Sequence, residues 1–549
     1  MPSSLNASSP HDHRPARWPV WLCLILVALA GLYWWWQIGR PVPLADASST
    51  RIACVSYAPF RLPGETPFDL KAVVSPERID ADMHALSQRF DCVRTYSQGH
   101  GLNALPAIAG RYGMKVLMGI WLSSDPVANA EEMRLGIATA RANPQVLRGV
   151  IVGNEVLLRG ELSEEALGGY IRTVRSAVHV PVTYADVWEF WLRHPQLAGS
   201  VDYLTIHILP YWEDDPVPPK HAVQHVAEVY ARVQQAFAGK RVMIGETGWP
   251  SRGRMRRQAD ATLVNETRYM REFLSYAATV DMPYNVIEAF DQPWKREQEG
   301  TAGGYWGIFD SQAQPKFAMQ GPVVEEPHWW LGWLAGGAGA LLFVLAGMWR
   351  SRAPLADRSR ARQVLALGVA GLAGGTALAW QARQLIFACR TPWEWTLAIG
   401  TCICALLTGL WLARSLAAWL AGGAMRMPSS RWRWLRGGWL FVLAFYGILM
   451  VWDGRYRDFP LGVFALPCMG YALAGCAAGW RTTTVPSLEE RFLAGAVALL
   501  GAGVVLQEAG LNPVAWVWFG LNLAIALPVW LGWIRLRHFS AHHLHAKQA

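Results

Sequence analysis

The sequence predicts an α/β fold, a (β/α)8 TIM barrel outside the cytoplasm, joined to an α-helical domain that crosses a membrane several times. Between residues 51 and 322, short runs rich in β-branched residues alternate with longer helical patterns. Outside that stretch, apolar runs recur at the length of about 20 residues that spans a bilayer. Charge is divided in the same way, because residues 41–328 hold 28 basic and 33 acidic side chains, whereas the remainder holds 22 and 8.

The chain begins with a short tail at 1–17, followed by the first apolar run at 18–38, WPVWLCLILVALAGLYWWWQI. Arg14 and Arg17 precede this run, and no convincing small-residue cleavage site follows it. We therefore interpret the run as an uncleaved signal anchor, with a cleaved signal peptide as the alternative. Residues 39–50 are expected to form a linker.

Seven further apolar runs predict a helical membrane domain over 329–534, followed by a tail at 535–549. The runs lie at about 329–349, 364–382, 395–413, 438–452, 461–480, 492–508 and 515–534. Arginine-rich segments occur at 350–362, 425–436, 481–491 and 535–547. Because basic loops stay in the cytoplasm, both termini are predicted on that side and the barrel on the other. The positive net charge therefore indicates membrane topology and not binding to nucleic acid.

The predicted barrel region contains eight strand candidates separated by helical patterns. The strands are expected at 51–57, 90–96, 115–121, 148–155, 180–186, 201–207, 241–246 and 284–290. Segments such as 163–178 and 221–237 carry apolar residues at i, i+3 and i+4, as an amphipathic helix does. A doubly wound open sheet is the competing fold, but it needs a glycine-rich phosphate turn after a strand, and the sequence has none.

Two of the predicted strands end on a glutamate. The motif VGNEV at 152–156 places Glu155 at the end of the fourth strand, and IGETGWPS at 244–251 places Glu246 at the end of the seventh. Active sites of (β/α)8 barrels form at the carboxyl ends of the strands, so both carboxylates are expected at one mouth. Such a pair suits cleavage of a glycosidic bond, in which one group protonates the leaving oxygen and the other attacks or activates water.

Aromatic and polar side chains near the same strand ends are predicted to bind the substrate, since flat aromatic faces stack on sugar rings. These candidates are Tyr57, Arg94, Tyr96, Trp249, Glu288 and Trp294. Two alternatives remain open, because Glu288 can instead pair with Lys295, and Arg94 can orient the nucleophile without touching the sugar. His207, at the end of the sixth strand, is interpreted as a rim histidine.

Cys54 and Cys92 are the cysteines of the barrel region, on strands expected to be neighbours. Two separate core thiols are expected, with a disulfide as the alternative. Paired CxxC and HExxH spacings do not occur in the sequence, so neither a metal nor another cofactor is predicted.

The stretches RTYSQG, VGNEV, ILPYW, GETGWPSRG and YWGIFD with QPKF resemble glycoside hydrolase family 17, the β-1,3-glucanase family, in its bacterial form. The resemblance covers residues 51–317 and implies a retaining mechanism, with Glu155 as the acid/base and Glu246 as the nucleophile. It also implies that Asn154 binds the sugar 2-hydroxyl and that Tyr211 contacts substrate. The chain departs from plant members in its first strand, CVSYAPF, which lacks their glycine-rich form, and in carrying His207 on the sixth.

The resemblance implies cleavage of β-1,3-glucan with transfer to a sugar, by elongation or β-1,6 branching, or to water. It places the chain in the bacterial inner membrane, with the barrel in the periplasm. The cytoplasmic segments are too short for a nucleotide-sugar-binding domain, so a new linkage must come from existing glucan. Expected partners are β-glucan, the lipid bilayer and a membrane glucan synthase. The alternative is a non-catalytic component that binds or exports glucan.

Overall fold

The computed structural model describes residues 16–349, 358–423, 425, 431–480 and 486–545. The predicted tail at 1–17 therefore lies almost wholly outside the described residues, as do parts of the basic segments at 350–362, 425–436 and 481–491. The chain divides into two compact units. The barrel unit comprises Pro41–Glu325 together with Arg455–Asp458, and the helical unit comprises the other residues, beginning with α1 (Trp18–Ile38).

Among the described residues, the barrel unit contains nine strands, and seven of them form one parallel sheet in chain order. The strands are β1 (Pro41–Val42), β2 (Val55–Ser56), β3 (Cys92–Arg94), β4 (Lys115–Ile120), β5 (Leu147–Asn154), β6 (Val182–Val187), β7 (Leu204–His207), β8 (Val242–Glu246) and β9 (Val323–Val324). Strands β2 to β8 are each bonded to the next, whereas β1 and β9 form a separate antiparallel ribbon. The predicted eighth strand at 284–290 joins the two edges, since Tyr284 bridges Ile244 of β8 and Val286 bridges Val55 of β2. The prediction of a TIM-type barrel is confirmed.

Helices connect successive strands and cover the outside of the sheet. They are α2 (Pro76–Ser87), α3 (Leu105–Arg111), α4 (Pro126–Ala142), α5 (Glu164–Ala177), α6 (Trp188–Arg193), α7 (Ala222–Ala236), α8 (Leu263–Ala277) and α9 (Arg296–Gly303). Local sequence explains several starts, because Ser75, Asp125, Ser163 and Thr262 each accept a backbone N–H of the first turn with their side chains. The buried faces of these helices and the outer face of the sheet share one apolar core.

The inner face of the sheet has a second, small core. Its buried members are Cys54, Cys92, Leu117, Ile151, Ala185 and Met243. Cys54 and Cys92 lie side by side on neighbouring strands, with Cα atoms 4.3 Å apart, and form a disulfide. The expectation of two separate thiols is therefore wrong. Neighbouring parallel strands brought the two residues into register, which the spacing of 38 residues along the chain could not show.

A buried charge cluster ties α8 to the last part of the barrel unit. The Lys316 ammonium lies 3.1 Å from Glu266 Oε1 and 2.9 Å from Asp291 Oδ1. Burial raises the pKa of Glu266 to about 8, although Lys316 acts against this shift. The raised pKa of Glu266 therefore lies close to neutral pH.

The helical unit continues with α10 (Trp330–Met348), α11 (Arg358–Ala388), α12 (Pro392–Leu420), α13 (Arg431–Trp452), α14 (Leu461–Ala477), α15 (Leu488–Gln507) and α16 (Pro513–His545). Each predicted apolar run overlaps one of these helices. Among the described residues, six helices are long and apolar enough to cross a membrane: α1, α10, α11, α12, α13 and α16. The α14 helix is shorter, at 17 residues, and α15 begins with the charged residues Glu489, Glu490 and Arg491.

Candidate active site

The two motif glutamates meet at the carboxyl ends of the parallel strands. Glu246 is the last residue of β8, and Glu155 follows directly after β5. Glu155 has a backbone φ of +52°, and Gly153 before it has a φ of +84°, so the chain turns sharply as it leaves the strand. Carboxylate oxygens of Glu155 and Glu246 lie within 4.8 Å of each other, and His207 lies between them. That separation is far below the roughly 6.5–9.5 Å at which inverting glycosidases hold a water between their carboxyl groups.

Glu246 is 5% exposed and is held by two donors. Its Oε1 accepts hydrogen bonds from Arg94 Nη1 at 2.9 Å and from the Tyr96 hydroxyl at 2.8 Å. Burial alone would raise the pKa of Glu246, but His207, the Arg94 guanidinium and the Tyr96 hydroxyl outweigh it and keep this pKa below its ordinary value. Glu246 is therefore an ionised, aligned carboxylate, as a nucleophile must be.

Arg94 links Glu246 to Asn154, the residue before Glu155. Its side chain is 1% exposed and donates to Gly245 O at 2.8 Å, to Glu246 and, through Nη2, to Asn154 Oδ1. The buried guanidinium thus orients its neighbours from below, which was the alternative left open for it. Since Arg94 occupies Oδ1 of Asn154, the Nδ2 amide is the donor that Asn154 can offer to a sugar hydroxyl.

The loop after Glu155 is fastened by side chains from β6 and from the loop itself. The Tyr184 hydroxyl accepts the backbone N–H of Leu157 at 3.0 Å and donates to Asp186. Burial and the charge of Glu155 raise the pKa of Asp186 to about 6, against the effect of its hydrogen bond from Tyr184. Arg159 donates to Asn154 O and lies over the Trp121 ring, 4.3 Å from its centroid. These contacts fix the direction in which the acid/base leaves the strand.

Glu288 lies beside the site in a buried ion pair. Lys295 Nζ contacts Glu288 Oε1 at 2.8 Å and Oε2 at 2.7 Å, and Glu288 is 1% exposed. Burial raises the pKa of Glu288 to about 7, with Lys295 acting in the opposite direction. The structural pair foreseen as the alternative therefore forms, whereas direct binding of substrate by Glu288 stays a prediction.

Three predicted substrate ligands lie inside the protein. Tyr57, Tyr211 and Trp249 are at most 1% exposed, so the prediction of direct sugar contact is wrong for each. Their polar atoms are already used, because Tyr57 donates to Asp82 at 2.9 Å, Tyr211 to Arg254 O at 2.7 Å, and Trp249 to Asp260 O at 3.0 Å. These side chains pack behind the mouth and do not line it.

Two aromatic side chains near the strand ends are partly exposed. Trp294 is partly exposed, with its indole N–H donating to Gln292 and Phe68 packed edge-on against it at 5.5 Å. Trp212 is partly exposed too, and stacks on Trp306 with an interplanar angle of 26°. The guanidinium groups of Arg256 and Arg455 also lie over the Trp212 ring, 5.4 and 5.3 Å from its centroid. Trp294 therefore stays a candidate for stacking on a sugar ring, whereas the Trp212 ring is already in contact with other side chains.

Sequence reasoning missed Ser56 and Asn285 beneath the nucleophile. Ser56 Oγ lies 3.0 Å from the Tyr96 hydroxyl and accepts from Asn285 Nδ2 at 2.8 Å. The alternation of side chains between the two faces of a strand could have revealed Ser56, since Ser56 shares the inner face with Cys54, whereas Tyr57 points outward.

Glu155, His207 and Glu246 also bring three potential metal-ligating atoms within 4.8 Å of one another. The Arg94 guanidinium, however, already supplies a positive charge at Glu246. Glycosidic cleavage by two carboxylates needs no metal ion, so the geometry is explained without one.

A parallel barrel with an ionised carboxylate and a second carboxyl group at its strand ends defines an O-glycosyl hydrolase or transglycosylase. Residues 54–307, somewhat less than half of the chain, match the BtgE/BtgC glycoside hydrolase domain model, so this part of the chain is similar to that domain.

Two sequence relatives and one solved structure, all from fungi, illustrate the similarity. A glucan 1,3-beta-glucosidase of Schizosaccharomyces pombe is 26% identical over 255 residues, covering 44% of this chain and 79% of that protein. A glucan 1,3-beta-glucosidase of Arthroderma benhamiae is 27% identical over 256 residues, covering 43% of this chain and 82% of that protein. The crystal structure of a family 17 beta-1,3-glucanosyltransferase from Rhizomucor miehei aligns with a TM-score of 0.43 and 25% identity, over 49% of this chain and 97% of its own.

Proposed function

We propose that the barrel unit is a retaining enzyme that cleaves β-1,3-glucosidic bonds and transfers the released chain to a sugar or to water. The observation that carries this proposal is the short separation of Glu155 and Glu246, within 4.8 Å between carboxylate oxygens. Retaining enzymes hold their carboxyl groups about 5–5.5 Å apart, so that one of them reaches the anomeric carbon itself. The names of the fungal glucan 1,3-beta-glucosidases support β-1,3-glucan as the substrate.

The roles follow from the two environments. Glu246, ionised by Arg94 and Tyr96, attacks the anomeric carbon and forms a glucosyl ester, while Glu155 donates a proton to the departing oxygen. In the second step Glu155 removes a proton from the acceptor, whose oxygen displaces Glu246 and restores its carboxylate. The Asn154 amide is placed to bind the hydroxyl next to the reacting carbon.

The acceptor decides the product. Water gives hydrolysis, a 3-hydroxyl gives elongation, and a 6-hydroxyl gives a β-1,6 branch. The glucosyl ester keeps the energy of the cleaved bond, so transfer needs no nucleotide sugar. Among the acceptors we favour a second β-glucan chain, because the partly exposed Trp294 offers a stacking face for a sugar.

The test uses the full chain in nanodiscs with laminari-oligosaccharides as the sole substrate. We expect shorter and longer oligosaccharides, with the new linkage read by NMR and the first product anomer in the β form. Glu246→Gln should abolish turnover and retain oligosaccharide binding, whereas the exposed Glu131→Gln serves as a matched control. An α first product would refute the retaining mechanism, whereas no products from a folded chain that binds glucan would refute the enzyme and favour the glucan-binding alternative.

We further propose that the chain resides in the bacterial inner membrane with the barrel unit in the periplasm, next to a membrane glucan synthase. The apolar helices and the arginine-rich segments between them support this topology. Reporter fusions after residue 328 and at the C-terminus should give periplasmic and cytoplasmic signals, respectively. The opposite pattern would exclude it.

A further inference from the structure

His207 is wedged between the two carboxylates and was interpreted from sequence as an ordinary rim histidine. It is the last residue of β7 and is 1% exposed. Nδ1 lies 2.8 Å from Glu155 Oε1, and Nε2 lies 3.7 Å from Glu246 Oε1. Nε2 is buried and has no hydrogen-bond partner among the residues that the structure describes. The ring thus makes its one hydrogen bond on the acid/base side.

The imidazole ring of His207 packs closely against Gly245. A Cβ atom added at Gly245 would lie 2.4 Å from Thr205 Cγ2, 3.1 Å from His207 Cδ2 and 3.2 Å from His207 Nε2, closer than ordinary packing allows. Glycine at position 245 therefore makes room for the ring beside the nucleophile. Because the ring is confined in this way, the direction of its Nδ1 is set by the fold.

The two glutamates differ in how firmly they are held. Glu246 accepts two hydrogen bonds and is nearly buried. The Glu155 side chain is 23% exposed, and within the described residues its carboxylate is hydrogen-bonded to His207. The orientation of the acid/base thus depends on one imidazole, whereas the nucleophile has several supports.

We propose that His207 is a positioning residue for the acid/base, which donates from Nδ1 to Oε1 of Glu155 and so leaves Oε2 to carry the proton to the leaving group. This inference rests on the proposed retaining function. It assigns the proton to Nδ1, because a carboxyl oxygen that accepts there keeps the other oxygen free. The charged groups facing the ring are Glu155 from β5, Glu246 from β8 and Asp186 from β6.

The test exploits two amides that each replace one ring nitrogen. His207→Asn puts an amide N–H near the position of Nδ1, whereas His207→Gln extends it towards Nε2. The substrates are phenyl β-laminaribioside, whose leaving group needs a proton, and 2,4-dinitrophenyl β-laminaribioside, whose leaving group departs without one. The first step is measured as the burst of released phenol, in the full chain in nanodiscs.

We expect H207Q to slow phenol release by ~10- to 100-fold, the range for losing a hydrogen bond to a charged group. Release of dinitrophenol should stay within about threefold of the unsubstituted chain, because it does not use the acid. H207N should stay close to the unsubstituted chain on both substrates. Glu155→Gln, which removes the acid, should give the same pattern as H207Q. The matched control is His194→Gln, because His194 Nδ1 contacts Glu164 at the same 2.8 Å outside the site.

Equal slowing of both substrates in a folded H207Q would overturn the inference, since it would show a general structural role. Should H207Q not fold, H207N decides alone, and a loss of phenol release above tenfold in the folded variant overturns the assignment of Nδ1. Failure of the unsubstituted chain to release dinitrophenol would refute the proposed function itself, which separates the two questions.

Discussion

Replacing Arg94 by lysine should remove most of the glycosidase activity while keeping the positive charge in place. The guanidinium donates to Gly245 O, Glu246 Oε1 and Asn154 Oδ1 from one rigid plane. A lysine ammonium is a single point on a flexible stem and cannot reach all three acceptors at once. Arg94→Lys keeps the positive charge beside Glu246 but loses the hydrogen bonds that align Glu246 and Asn154. The variant therefore shows which of the two effects supports activity.

The size of the effect follows from the bonds that are lost. If the ammonium keeps the contact with Glu246, the bonds of Arg94 to Gly245 and Asn154 go, each worth roughly 1.5–3 kcal/mol when the donor is charged. A loss of about 3–6 kcal/mol corresponds to a fall in kcat of about 10²- to 10⁴-fold. The retained Coulomb attraction places the expected value near the lower end, with KM changed little because Arg94 is 1% exposed.

The assay follows release of dinitrophenol from 2,4-dinitrophenyl β-laminaribioside between pH 3 and 8, which reports on the attack by Glu246. We expect a lower plateau and an acid limb shifted upward, since weaker support raises the pKa of Glu246. Arg175→Lys is the matched control, because Arg175 pairs with Asp202 on the surface at 2.6 Å. An R94K rate within threefold of the unsubstituted chain, with the same acid limb, would refute the assigned role of Arg94.

Four further experiments test other parts of the structure. Tyr96→Phe removes a hydroxyl that stabilises ionised Glu246, so the acid limb of activity should move upward in a pH–rate profile. The folded pKa of Glu266 is raised from 4.5 to about 8, so its contribution to stability is present below about pH 4.5 and lost as pH rises through about 8. In Glu266→Gln the thermal unfolding midpoint should therefore change less between these two pH values. Replacing Cys54 and Cys92 by serine should cost about 4 kcal/mol of unfolding free energy in the chain-entropy model, for a separation of 38 residues, measured by urea denaturation. Incubation with EDTA should leave hydrolysis of laminari-oligosaccharides unchanged.

Each of these has a contrary outcome. An unshifted acid limb in Y96F would mean that the hydroxyl does not support Glu246. A midpoint in E266Q that still falls between pH 4.5 and 8 would assign the pH dependence to other buried acids. A serine double variant as stable as the unsubstituted chain would indicate that the thiols are not joined. Loss of activity in EDTA that zinc or calcium restores would show that the site uses a metal ion.

The meeting of Glu155 and Glu246 at one edge of the sheet could be predicted from the sequence because both come directly after buried runs in specific motifs. Parallel strands deliver such residues to one edge of the sheet, whatever the details of the loops. Their partners were harder to predict, since the strands depart from regular register near the site. The pairing shifts between Ile151 and Asn154 and between Ile206 and His207. An irregularity at a strand end changes the face to which the following side chains point, and composition does not reveal it.

The errors concern the first strand and the aromatic residues beyond the strand ends. Tyr57 was predicted in the mouth, but the inner face belongs to Ser56, which alternates with Cys54. Tyr211 and Trp249 follow strand ends and fold back into the outer core. A large aromatic side chain gains as much from burial against helices as from facing a sugar, so its type does not decide between the two.

The ribbon of β1 and β9 has a consequence for how such a chain could arise. Pro41 pairs with Val324 and Val42 with Val323, so the barrel unit starts and finishes at neighbouring points, about 5 Å apart as in any strand pair. A cassette whose two ends meet can enter or leave a host chain between consecutive helices without rerouting them. The fungal relatives align over 43–44% of this chain and about four-fifths of their own length. In evolutionary terms, the barrel unit is suited to transfer between proteins as one piece, and the helices before and after it in sequence belong to its present chain.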